Sequence, residues 1–262
     1  MTQEEELFHN QWAVSLEPEA VLVDETFAAC TAPENRLIVK RLGEVKNKTV
    51  MDLGCGAGEA AVYFAKQGAD VIAVDASTEM LQLVRKVAGR HGVSVVTEKL
   101  HSEKLDFEDE SFDIVYAANL LHHVEIEKTV REIRRVLKKG GIFVSYDPLA
   151  YNPFINIYRN ISTEVRTKNE HPLTVNDIKT IKKIFQNVAT DAKWLITLWI
   201  FVKFYFVDRI NPNKERFWKK SIEEHKKLEN LYDRLERVDN FILAACPFLK
   251  IFCWNVVIFA VK

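Results

Sequence analysis

The residues most able to do chemistry lie in the stretch VMDLGCGAGEAAVYFAKQGADVIAVD, Val50 to Asp75. Asp52, Gly54, Gly56 and Gly58 close one apolar run, and Asp75 closes the next. Glycines after a strand let the backbone approach a ligand, and an acid ending the following strand accepts hydrogen bonds from ribose hydroxyls. Asp75 follows Gly54 by roughly 20 residues, the spacing that role requires. The pattern therefore predicts a ligand containing ribose.

Two such ligands compete. A dinucleotide fingerprint needs a small residue where Glu59 stands, and Glu59 would set a negative charge against a pyrophosphate at the helix start. S-adenosylmethionine has no phosphate, and its sulfonium and ammonium suit acids around the turn. A nicotinamide oxidoreductase accordingly ranks last.

A second group of residues could move a proton or hold an acceptor. His122 and His123 sit in LLHHV, and Tyr146 and Asp147 end a later apolar run. A neutral imidazole is a reasonable base near pH 7. The plainer readings are that a histidine orients the loop and that Asp147 shapes the turn before Pro148. Arg159 and Arg166, in DPLAYNPFINIYRNISTEVRTKNEHPL, could bind an acidic acceptor. Their plainer role is pairing with Glu164 and Glu170 at the surface.

The elements that must position these residues follow a βαβα rhythm. Strands are predicted over 48–53, 70–75, 93–98, 112–118 and 141–147, with helices over 59–67, 78–90 and 125–138. Ser77 is the expected N-cap of the 78–90 helix. Strands alternating with helices imply a parallel sheet covered on both faces. Residues 4–45 read as helical, with Thr31 and Glu34 forming a capping box around Pro33. Residues 148–173 read as a loop or cap and 174–187 as a helix. The run 188–207 starts as a strand and is undecided beyond Thr197. A long amphipathic helix is expected over 213–241, and IFCWNVVIFAV reads as a strand buried on both faces.

Composition bounds the rest. The chain has 262 residues, 48% of them hydrophobic, enough for one compact unit. A net charge of -1 gives no basic field for nucleic acid. Four cysteines without metal spacing read as reduced thiols in a cytoplasmic protein, and no metal site is expected. MTQEEELFHN has no apolar core for a signal peptide. The 14-residue run WLITLWIFVKFYFV is too short to span a bilayer. Its default use is sheet core under the 213–241 helix. Its other uses are a pocket for a lipid-like or prenylated acceptor, and peripheral contact with a membrane. Nothing in the sequence fixes an oligomeric state.

VMDLGCGAGEAAVYFAKQGADVIAVDASTEML, DESFDIVYAANLLHHV and EIRRVLKKGGIFVSYDP together resemble the cofactor half of class I S-adenosylmethionine-dependent methyltransferases, in the small-molecule, quinone-methyltransferase-like branch. The resemblance covers residues 48–147. It implies an α/β fold with a doubly wound, mostly parallel seven-stranded sheet whose last strand is antiparallel, and 251–261 fits that slot. It implies S-adenosylmethionine as cofactor, S-adenosylhomocysteine as product, and a small-molecule acceptor methylated at O or C. By position, Asp52, Gly54 and Gly56 face the methionine part and Asp75 the ribose. Ala76 and Met80 flank the adenine, and Asn119 meets the methionyl end. His101 and Ser102 stand where the branch often has an Asp-Ala-like pair, so adenine recognition departs from the pattern there. Trp12 is read as a lid residue or as plain helix packing. The organisation expected is one domain, with a helical lid over 1–45, a core over 46–147, an acceptor-side cap over 148–250 and a final strand over 251–262. A non-catalytic cofactor-binding or scaffold protein on the same fold is the alternative.

Overall fold

The computed structural model describes residues 3–164 and 170–262. Arg166 lies outside the described residues. Three helices come first: α1 (Gln3–Val14), α2 (Glu25–Ala28) and α3 (Pro33–Leu42). The alternating unit then runs β1 (Thr49–Leu53), α4 (Glu59–Lys66), β2 (Asp70–Asp75), α5 (Thr78–Arg90), β3 (Val96–Lys99), β4 (Phe112–Ala118), α6 (Ile126–Val136) and β5 (Leu137–Pro148). Beyond it come α7 (Pro153–Ile161), α8 (Val175–Ile184), β6 (Asn187–Lys193), α9 (Trp199–Phe206), α10 (Phe217–Glu223), α11 (His225–Ala245) and β7 (Asn255–Val261).

The sheet has seven strands in the order β3-β2-β1-β4-β5-β7-β6. The first five pair in parallel, and β7 runs antiparallel to both β5 and β6. Strand order reverses between β1 and β4, which opens the crevice where such sheets take ligands. Each face carries its own core. Met51, Leu53, Val115 and Phe143 pack with Val130 and Ile133 of α6 and Ile181 of α8. On the other face Val50, Val71 and Ile114 pack with Ile38 of α3, Phe64 of α4 and Val84 of α5. Both faces are covered, which is why β1, β4 and β7 read as continuous apolar runs.

Several expectations are corrected by packing. The Thr31–Glu34 box does not form. The Thr31 hydroxyl donates to the Ser221 carbonyl at 2.8 Å, and the Glu34 carboxylate accepts from the Asn255 side chain at 2.7 Å. Tertiary partners took both groups from the local cap. The helix expected over 125–138 stops at Val136, because Leu137 already pairs with Phe112 of β4. Within 148–173 lies α7, capped by Asn152, whose side-chain oxygen accepts the Ile155 N–H at 3.0 Å. The long helix expected over 213–241 is two helices, α10 and α11, meeting at Glu224. The aromatic run is not sheet core. It turns at Trp194, whose φ of 68° is left-handed, and becomes α9. Phe201 and Phe204 there pack with Phe217, Leu228 and Tyr232 in a separate cap core. Ser77 does cap α5, accepting the Met80 N–H at 3.1 Å.

Candidate active site

A cavity of about 340 Å³ opens at the carboxyl ends of β1, β2, β4 and β5, under α1, α7 and α10. Its floor is the turn between β1 and α4. Gly54, Gly56 and Gly58 all hold left-handed φ there, with values of 72°, 51° and 91°. Asp75 braces this turn. One carboxylate oxygen accepts the Gly56 N–H at 3.0 Å and the other accepts the Ser77 N–H at 2.8 Å. The acid thus caps the start of α5 and fixes the glycines, and it still lines the cavity. Burial raises its pKa, against those amide donors.

Asp52 also lines the cavity, and its Oδ2 is buried with no hydrogen-bond partner. Burial pushes its carboxyl up to about 8. Glu59, at the first turn of α4, is pushed up by burial as well. A ligand carrying a positive group and a ribose fits this floor: an orphaned buried acid oxygen beside open space at Gly56, where an added Cβ would meet nothing within 4 Å, and a second acid at the next strand end.

Of the residues singled out from sequence, Trp12, Asp52, Gly54, Gly56, Asp75, Ala76, His101, Ser102, Asn119, His122, His123 and Tyr146 all line this one cavity. Met80 lies outside the lining. It is fully buried, because its place on α5 turns its side chain into the protein. His101 is exposed at the rim, and Ser102 beside it is buried. Asn119 has a φ of 52°, and its N–H donates to the Tyr146 carbonyl at 2.8 Å, tying the ends of β4 and β5 together.

The histidine turn follows β4, and the His123 ring lies 6.0 Å, centre to centre, from the His9 ring of α1. Asp147 does more than shape a turn: it is fully buried and holds His122 Nδ1 at 2.9 Å, while its other oxygen accepts the Ser145 hydroxyl at 3.1 Å. Burial raises the Asp147 pKa well above the usual carboxylate range. The Tyr146 phenol is raised by burial and stands in a hydroxyl network with Tyr116, whose OH donates to Asn35 at 2.8 Å. Arg159 lines the cavity instead of the surface, with Nη1 donating to Asn156 at 3.1 Å.

Four residues of the site escaped the sequence reading. The Arg216 guanidinium lies over the Trp12 ring at 3.7 Å, and both residues line the cavity. Glu34 and Asn35 sit behind Tyr116 and Tyr146 because α3 packs on the sheet. Trp254 reaches the wall from the residue before β7. Glu34 was hidden by its plausible capping spacing, and Arg216, Asn35 and Trp254 have no local signal.

Residues 51–145 match the family model described as a methyltransferase domain. Over those residues the chain is similar to methyltransferases. The chain is 39% identical over 103 residues to the uncharacterised methyltransferase YcgJ of Bacillus subtilis, covering 38% of this chain and 41% of that one. It is 35% identical over 109 residues to the ubiquinone biosynthesis O-methyltransferase of Photorhabdus laumondii, covering 40% and 44%. The chain thus spans less than half the length of these curated relatives. In fold, the chain is similar to phosphoethanolamine N-methyltransferase 2 of Haemonchus contortus, solved in complex with S-adenosyl-L-methionine. The TM-score is 0.58 at 24% identity, over 88% of this chain and 52% of that one.

Proposed function

We propose that this protein transfers the methyl group of S-adenosylmethionine to oxygen or carbon of an apolar or mixed small molecule, leaving S-adenosylhomocysteine. The observation that carries the reading is the pair of acids at successive strand ends, with Asp52 Oδ2 buried and unpaired beside the glycine turn and Asp75 bracing that turn. Asp75 accepts from the ribose hydroxyls, and Asp52 with the Gly54–Gly56 backbone faces the ammonium end. Ala76, His101 and Ser102 border the adenine, and Asn119 meets the methionyl end. The bound cofactor supplies an activated methyl carbon, and the protein aligns the acceptor and excludes water.

Trp12 and the rest of 1–45 serve as the lid, since α1 is pinned by Glu6 to Lys99 at 2.8 Å and by Asn10 to Ser77 at 2.6 Å. Residues 148–250 form the acceptor-side cap. The acceptor enters between His122, His123, Tyr146 and the aromatic wall of Tyr158, Trp194 and Trp254. Those rings favour a lipid-like or prenylated acceptor. Exposed Phe154, Ile157, Trp199 and Phe206 suit peripheral membrane contact, and among the described residues no helix is long and apolar enough to cross a membrane.

The test is transfer of labelled methyl groups to host lysate, counted in organic, aqueous small-molecule and macromolecular fractions. Asp75→Ala, which loses roughly 100-fold in cofactor affinity if two charge-assisted hydrogen bonds go, is the blank. Label in the organic fraction supports the reading. Label confined to macromolecules, or equal transfer by Asp75→Ala, overturns it.

A further inference from the structure

The cap does more at the histidine turn than cover it. The His171 N–H donates to the His122 carbonyl at 2.8 Å, docking the EHPL end of the cap onto LLHHV. This sets Glu170 beside two histidines nearly fifty residues earlier in the chain. One nitrogen from each of His122 and His123 and one carboxylate oxygen of Glu170 lie within 4.8 Å of one another. All three residues line the cavity that holds Asp52 and Asp75.

We propose that His122, His123 and Glu170 bind one divalent transition-metal ion, of the zinc or cobalt kind, at the acceptor end of the site. Two imidazoles and one carboxylate are the donor set of open zinc sites that keep a position for substrate. Nitrogen donors select this class over magnesium or calcium, which take oxygen ligands. His122 is preset for the role: with Nδ1 on Asp147 at 2.9 Å, it would take the ion at Nε2, an arrangement in which the carboxylate fixes ring orientation and raises basicity. Bonds of about 2.0–2.2 Å need donor pairs roughly 3.3 Å apart, so closure asks only for side-chain rotations of the half-buried His123 and Glu170.

The inference rests on the reading that this end takes the acceptor. It narrows the acceptor to one with a hydroxyl or phenol. The ion would bind that oxygen and lower its pKa, as it does for bound water. The O–H proton leaves to solvent. The oxygen lone pair forms the bond to the methyl carbon, and the S–CH₃ electron pair returns to sulfur.

The full chain, stripped with a chelator, is titrated with Co²⁺ while its visible absorption and metal content are read. The expected result is one Co²⁺ per chain, with the intense absorption of a four- or five-coordinate nitrogen-ligated ion. His123→Ala and Glu170→Gln each weaken binding by about tenfold or more. His91→Ala, at an exposed histidine after α5, leaves it unchanged. Only the weak spectrum of hydrated cobalt, or equal binding by all three variants, overturns the proposal and leaves His123 and Glu170 as an ordinary polar pair. S-adenosylhomocysteine binding to the stripped proteins is measured in parallel. Retained binding shows that the variants fold and separates loss of the ion from failure of the methyltransferase reading.

Discussion

Asp52 and Asp75 are both strand-end acids on one cavity, yet their surroundings give them different tasks. Asp75 spends its two oxygens on the amides of Gly56 and Ser77, and Asp52 keeps one buried oxygen without a partner. With its carboxyl pushed up to about 8, Asp52 binds a proton in the folded protein over a range where the unfolded chain has lost it. Stability from this group therefore falls as pH rises from near 4 through 8. Glu59, Asp75 and Asp147 are raised too and add the same sign. Thermal melts of the cofactor-free protein are expected to drop between pH 5 and 8, and Asp52→Asn to flatten that slope. A cationic ligand beside Asp52 reverses its preference. Binding S-adenosylhomocysteine at pH 7 is therefore expected to release up to about one proton, lost in Asp52→Asn. Calorimetry in buffers of different ionisation enthalpy reads this directly, and zero release would place the ammonium elsewhere. Asp75 was legible because its distance from Gly54 is a local quantity. The unpaired oxygen of Asp52 was not, since it depends on burial.

At the scale of elements, the glycine turn separates folding from binding. Gly58 has a φ of 91°, and an added Cβ would stand 2.9 Å from Val84 Cγ2 on α5. Gly58→Ala is expected to cost about 2–3 kcal/mol, from backbone strain and overpacking. Gly56 has a φ of 51° with open space in front of it, so Gly56→Ala costs about 1–2 kcal/mol of stability. It is expected instead to weaken cofactor binding by about tenfold or more, which is about 1.4 kcal/mol. Equal effects of the two on affinity would mean that Gly56 does not face the ligand. The segment after β6 has its own anchor on α11. Asp239, buried on α11, accepts from the backbone N–H groups of Leu195, Ile196 and Thr197 and from the Thr197 hydroxyl. Asp239→Ala strands several buried donors. A loss of about 3 kcal/mol, or roughly 6–12 °C in Tm, is expected in a thermal melt.

These elements also mark where sequence reading stopped. The βαβα core was legible because period and punctuation are local: Ser77 capped α5 as its spacing said. The cap was not. Asp239 lies between positions of an apolar stripe and looks like solvent-facing helix until the 194–197 turn is folded onto it. The run after Lys193 has β-rich composition, yet α9 buries Phe204 in a cluster with Leu228 and Tyr232, brought in from α11.

For the whole molecule, the site is assembled from both halves of the chain. Arg216, the residue before α10, lies over Trp12 of α1, and Glu34 of α3 meets Asn255 of β7. The cavity mouth therefore depends on two segments two hundred residues apart. Trp12→Ala is expected to remove about 1 kcal/mol of ring–guanidinium attraction and to speed cofactor release severalfold with little change in Tm. Stopped-flow displacement of S-adenosylhomocysteine checks this; an unchanged release rate would make Trp12 a packing residue only.

The sheet order carries a last consequence, for how the protein is made. Strand β7 is the last of the seven in the chain, yet it lies between β5 and β6. On a ribosome, β6 is finished roughly sixty residues before the strand it pairs with. At about 5–20 residues per second that is a wait of several seconds. Throughout it, β5 shows a bare edge and β6 has no sheet to join. The glycine turn can take shape early in synthesis, while the aromatic wall of the cavity, with Trp194 and Trp254 tied together through the Trp254 N–H at 3.0 Å, must wait for that final strand.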